Sequence, residues 1–131
     1  MFKRPLVSLT ALLACVCFAF PTWAKKHYHE DGHALVQDIN KPGTKIEFDE
    51  DQDEVYDAVQ KGYVRPFSEM FAAVERDLHG RIIQVELEED DDIWVYELKL
   101  NHNNNIIKVE YNAETLEMLQ IKGRHIKEAL K

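Results

Sequence analysis

Cysteine is nearly missing from this chain. The only two, Cys15 and Cys17, lie inside the first apolar run, so the folded part is expected to have neither a disulfide framework nor a thiol nucleophile and must be held by packing. Five glycines and four prolines in 131 residues give no Gly- or Pro-rich linker, and neither an internal repeat nor a long low-complexity tract occurs. Positive charge is short as well: 16 basic against 24 acidic residues, a net charge of −8. Such a surface repels phosphate backbones and anionic lipid, which argues against a nucleic-acid partner. Long apolar runs are confined to Leu6–Phe20, broken only by Ser8 and Thr10, and this is too short for the roughly 20 residues that cross a bilayer.

What the first residues do carry is an address. Lys3 and Arg4 precede the apolar run, and Pro21-Thr22-Trp23-Ala24 ends it on small residues, a pattern that predicts a secretory signal peptide over residues 1–24 and a periplasmic or secreted product without a membrane span after cleavage. Loss of Lys3 and Arg4 would make the remainder more acidic still. A competing reading takes Leu12-Leu13-Ala14-Cys15 as a lipoprotein box with Cys15 lipidated. Leu13 fits it poorly, and the apolar run continues past Cys15.

Residues 25–50 are polar, rich in His, Gly and Asp, and read as a loosely docked arm with a turn at Pro42-Gly43. Val55 and Val59 fall one helical turn apart behind a crowd of acids, with Lys61-Gly62 as the stop, which predicts a short helix. A second helix is predicted over Ser68–His79, capped by Ser68, ended by Gly80, with Met70, Phe71, Val74 and Leu78 on one face. Strands follow. Ile83, Val85 and Leu87 alternate with polar residues, as do Trp94, Tyr96, Leu98 and Leu100 across an Asp90-Asp91-Asp92 turn. A third strand, Ile106–Tyr111, follows an asparagine turn. A fourth should place Leu119 and Ile121 inward before Gly123 stops it, leaving residues 123–131 as a tail or short helix. The expected fold is α+β: N-terminal helices on one face of a small antiparallel sheet of three to four strands.

The sequence also resembles a family. Lys61-Gly62, then Val64-Arg65-Pro66-Phe67-Ser68-Glu69-Met70, Leu78-His79-Gly80-Arg81-Ile82-Ile83, Val85-Glu86-Leu87, Trp94-Val95-Tyr96-Glu97-Leu98-Lys99 and Tyr111-Asn112-Ala113-Glu114-Thr115 together resemble a small exported stand-alone PepSY domain over about residues 51–122. One position departs from the pattern, since Leu116 stands where the family usually has glycine. The resemblance implies an α+β domain without catalytic activity. Such domains occur in propeptides of thermolysin-like metalloproteases, where they are associated with inhibition and assisted folding, and as small secreted proteins proposed to restrain proteases. No catalytic or ligand set comes with it.

Several constellations carry residue types suited to chemistry. His29-Glu30-Asp31-Gly32-His33 matches the zinc-protease pattern H-E-x-x-H, but Gly32 weakens a helix there and Asp31 puts a charge where such sites are apolar. A better metal reading starts from cleavage after Ala24: the new terminus Lys25-Lys26-His27 could wrap square-planar Cu²⁺ or Ni²⁺, with His29 and His33 adding ligands for these ions or Zn²⁺. Solvated histidines on an arm are the plainer reading. Asp49, Asp51 and Asp53 resemble the start of a calcium loop, yet Glu54 stands where that loop needs glycine, and acids at a helix start account for them. Trp94 and Tyr96 read as core, and His79, His102 and His125 as isolated surface residues. The leading expectation is a non-catalytic binding module for an envelope or secreted protein, a protease or sensor protein among the candidates. The alternative is a metal-handling accessory protein using His27, His29 and His33, and an enzyme is the weakest class.

Overall fold

The computed structural model describes residues 31–131. The expectations placed on residues 1–30, including the signal peptide, the lipidation site at Cys15, and His27 and His29, lie outside the described residues. In chain order the elements are α1 (Gly32–Val36), β1 (Lys45–Phe48), α2 (Gln52–Gln60), α3 (Phe67–Asp77), β2 (Arg81–Asp90), β3 (Ile93–His102), β4 (Asn105–Asn112), β5 (Met118–Gly123) and α4 (Ile126–Ala129). The strands form one mixed sheet in the order β1-β2-β3-β4-β5. β2 to β5 are antiparallel neighbours, whereas β1 runs parallel to β2, a pairing that needs the crossover supplied by α2 and α3. The expected α+β class therefore stands with a correction: the sheet has five strands and is mixed. The fifth strand is β1, within the segment read as a loosely docked arm. Its four residues alternate Lys45-Ile46-Glu47-Phe48, too short a pattern to stand out, and Ile46 and Phe48 pack against the core.

The described remainder of that segment, from Asp31 onward, is docked too. Val36 of α1 is fully buried, and α1 lies against α2 so closely that a Cβ on Gly32 would stand 1.9 Å from the Gln52 carbonyl oxygen. Asp51 caps α2, its carboxylate accepting the Glu54 N–H at 2.9 Å. α3 starts one residue earlier than its sequence suggests, at Phe67, so Ser68 lies inside the first turn and is not the cap. Pro66 in the cap position has no side chain for the work. Asp38 supplies it from the segment after α1: its Oδ1 accepts the Ser68 N–H at 2.8 Å and its Oδ2 the Ser68 hydroxyl. α3 ends at Asp77, two residues short of expectation, because Leu78 turns extended (φ −136°, ψ 144°) and bridges Leu130 of the C-terminal tail.

The core lies between the helices and one sheet face. Phe67, Met70 and Val74 of α3 meet Val85, Leu87, Tyr96, Leu98 and Tyr111, and Trp94 is buried as expected. Phe67 is the aromatic hub, edge-on to Phe71 and Tyr96 and stacked toward Phe48. Both core tyrosines satisfy their hydroxyls, Tyr96 donating to the Arg65 carbonyl at 2.6 Å and Tyr111 to Asp77 Oδ2 at 3.0 Å. Two bulges alter the expected alternation. A break between Ile82 and Gln84 puts Ile82 in the core and leaves Ile83 half-buried, and one opposite Glu110/Tyr111 pairs Met118 with Tyr111 and turns Leu119 to solvent. Asp91-Asp92 and Asn103-Asn104 make the two tight turns, both residues of each with positive φ.

Candidate functional site

The outer face of the sheet, away from the helices, is ordered by sign. Strand register places Glu47, Glu86, Glu97, Glu110 and Gln120 side by side across all five strands. Two residues along, it places Lys45, Gln84, Lys99, Lys108 and Lys122 side by side. A glutamate row therefore runs beside a lysine row. Ion pairs cross between them, Lys45–Glu47 at 2.7 Å and Lys108–Glu97 at 2.9 Å, while among the described residues Lys99, Lys122 and Glu110 make none.

Beyond the glutamate row the face ends in an acidic pole. Asp49, whose N–H bonds the Leu87 carbonyl just past β1, brings its carboxylate against Glu86 and Glu88, the three within 4.8 Å of one another. Crowded carboxylates resist ionising together. The Glu86 carboxyl is pushed up to about 7, first by its hydrogen bond with Asp49, then by burial and by the charges of Asp49, Glu97 and Glu88. Glu88 is raised too, first by burial and then by Glu97, Asp49 and Glu110. A second group sits around the edge. Glu54 of α2 is pushed up to about 7, first by a hydrogen bond with Glu50, and Glu50 in turn accepts the Glu89 N–H. Beside it lies an open cleft of about 230 Å³ lined by Glu54, Asp57, Lys61, Tyr63, Glu89 and Trp94. Chemically this pole offers proton-sharing carboxyls and an aromatic wall, an arrangement that attracts cationic groups.

The residues singled out in the sequence fall differently. His33 is in α1, and its ring stacks on Phe48 with centroids 3.9 Å apart. Its Nε2 stands 2.9 Å from the Glu50 carbonyl oxygen, which can only accept, so that nitrogen carries the proton and is not free for a metal. The stacked ring fixes α1 over β1, and a ligand role for this histidine would fall to Nδ1. Asp49, Asp51 and Asp53 do not converge: the first turns to the sheet, the second caps α2, and the third lies in the first turn of that helix. His79 and His102, read as isolated, bring their rings to 6.2 Å. In the sequence Glu86 and Glu88 read only as the polar half of an alternating strand. Their signal was present in the spacing of acids, but only register shows that they meet Asp49.

Fold and surface together define a small α+β module with helices on one sheet face and a charge-ordered outer face. Residues 72–120, from the middle of α3 through the first half of β5, match the family model of PepSY, the peptidase propeptide and YPEB domain. The resemblance legible in the sequence is thereby shown over that segment. No curated protein and no solved structure matches the chain. PepSY domains are generally regulatory, non-catalytic modules found in exported or periplasmic proteins.

Proposed function

We propose that this protein is an exported, non-catalytic PepSY module that docks on an envelope or secreted protein, a peptidase above all, and modulates it. The observation that carries the reading is the match of residues 72–120 to a family described by peptidase propeptides. The acidic pole around Asp49, Glu86 and Glu54 supports it, because a surplus of carboxyls steers a basic partner surface into contact. The test is to add the purified protein to the peptidases secreted by its host and measure their activity, with crosslinking to identify what is bound. The expected result is changed activity of one peptidase crosslinked near Glu54 or Glu86. Unchanged activity together with no specific crosslink would overturn the proposal. The metal-handling alternative is separated by His27→Ala/His29→Ala, which removes ligands without touching His33 and its packing, and which should leave partner binding intact.

A further inference from the structure

The two charged rows have a property that single ion pairs do not. Like charges directly opposite on neighbouring strands destabilise a sheet, and a face with alternating signs across the strands would have avoided this. Here instead every strand contributes the same order: glutamate or glutamine in one row, and lysine or glutamine in the next. Such a face is self-complementary under one operation. A two-fold axis lying in the plane of contact, across the strands and midway between the rows, places each strand over its own copy and each row over the opposite row. Glu47 then faces Lys45 of a second copy, Glu97 faces Lys99, and Glu110 faces Lys108. Glu86 faces Gln84, an amide that can donate to it. The acidic end with Glu88 comes over the end of β2 that starts with Arg81.

We propose that the outer sheet face pairs with the outer face of a second copy of this chain, glutamate row on lysine row, as a two-fold dimer. The occupant follows from spacing. Charges within a row repeat across neighbouring strands, about 4.8 Å apart, whereas same-face residues along a single extended strand repeat at about 6.7 Å. A partner matching all positions of a row must therefore be another sheet, and this chain presents one with the required order of signs. Facing sheets lie about 10 Å apart, a gap that two long charged side chains bridge end to end. Lys99 and Glu110, without ion pairs among the described residues, acquire opposite charges in this arrangement, and Lys122 faces the Gln120 amide. The net charge of −8 on each chain opposes association, so the dimer is held by register and weakened by salt. This inference does not rest on the proposed regulatory function, and a second copy and a partner would compete for Glu86.

Charge exchange tests it. Sedimentation equilibrium on the protein as isolated from cells should show a monomer–dimer equilibrium at low ionic strength that moves to monomer as salt is raised. Glu97→Lys/Glu110→Lys and Lys99→Glu/Lys108→Glu should each be monomeric alone, and an equimolar mixture should regain the dimer. The fourfold variant with both rows exchanged keeps the net charge and the self-complementarity, and should dimerise like the parent. Carbodiimide coupling of a mixture of light and nitrogen-15-labelled chains gives a readout on the parent protein that does not depend on folding of the variants. It should yield Glu97–Lys99 and Glu110–Lys108 peptides joining one light and one heavy chain. A monomer at every concentration and salt, a dimer indifferent to the exchanges, or coupling confined to single chains would each overturn the proposal.

Discussion

Asp38 caps helix α3 from 30 residues upstream of Ser68, one carboxylate oxygen on the Ser68 N–H and the other on its hydroxyl. Pro66 occupies the position from which a cap normally comes, and it has none to give. Asp38→Ala should therefore lower stability by about 1 to 2 kcal/mol, the usual loss of a helix cap. Ser68→Ala should lose less, because the backbone N–H keeps its acceptor. Urea unfolding of the two variants side by side is the measurement.

Tyr96 is fully buried and its hydroxyl donates to the Arg65 carbonyl at 2.6 Å. Arg65 sits before Pro66 in the connection from α2 to α3, so this bond ties the helix entrance to the central strand. Tyr96→Phe keeps the ring against Phe67 and removes only the donor. It should cost about 1 to 2 kcal/mol, the range for a hydrogen bond removed with its partner left behind, and a thermal melt will show it.

The carboxyls of Glu86 and Glu54 titrate at about 7, against an ordinary 4.5. A folded-state value raised above the unfolded one means that protonation favours the fold. The stabilisation is complete below 4.5 and is lost as pH rises through about 7. Asp77 acts oppositely, held low first by its hydrogen bond from Arg76, so its stabilisation is lost only as pH falls through its folded value, below 3.8. Tm should accordingly fall as pH rises from about 5 to about 8. Glu86→Gln should flatten that slope and raise Tm at the alkaline end, and an unchanged slope would count against crowding with Asp49 as its cause.

Gly32 allows α1 to approach the backbone of α2. A Cβ there would lie 1.9 Å from the Gln52 carbonyl oxygen and 2.9 Å from the Tyr56 nitrogen. Gly32→Ala should separate α1 from α2, releasing Val36 from the core and the His33 ring from Phe48. A loss above about 2 kcal/mol is expected, because a contact with rigid backbone cannot be relieved by a rotamer change. Hydrogen exchange should show lost protection at the amide of His33, which now bonds Gln52 Oε1 at 2.7 Å.

Leu116 shows how far a departure from a family pattern can be read. The family pattern usually has glycine after Thr115, and the backbone there does take the left-handed conformation, with φ 59° at Leu116. The N–H of Leu116 still bonds the Asn112 carbonyl at 2.8 Å, and its side chain packs against the core. The hairpin keeps the geometry expected of glycine, with packing set against the unfavourable φ.

The sequence by itself determined the helix-on-sheet plan, the faces of α3 and β3, the tight Asp91-Asp92 and Asn103-Asn104 turns and the PepSY resemblance, because these rest on local periodicity and turn chemistry that short segments carry within themselves. Tertiary structure decided what depends on residues far apart in the chain. β1 became a strand because β2 offers it a parallel edge, four residues being too few to declare themselves. His33 stacks on Phe48 and reaches the Glu50 carbonyl, contacts that a histidine count cannot show. The bulges at Ile83 and Leu119 shifted inward and outward residues by one, since pairing register belongs to two strands at once. The ordering of the outer face into a glutamate row and a lysine row has the same origin: each strand shows only alternating polar residues, and cross-strand hydrogen bonding alone brings charges of one sign into line.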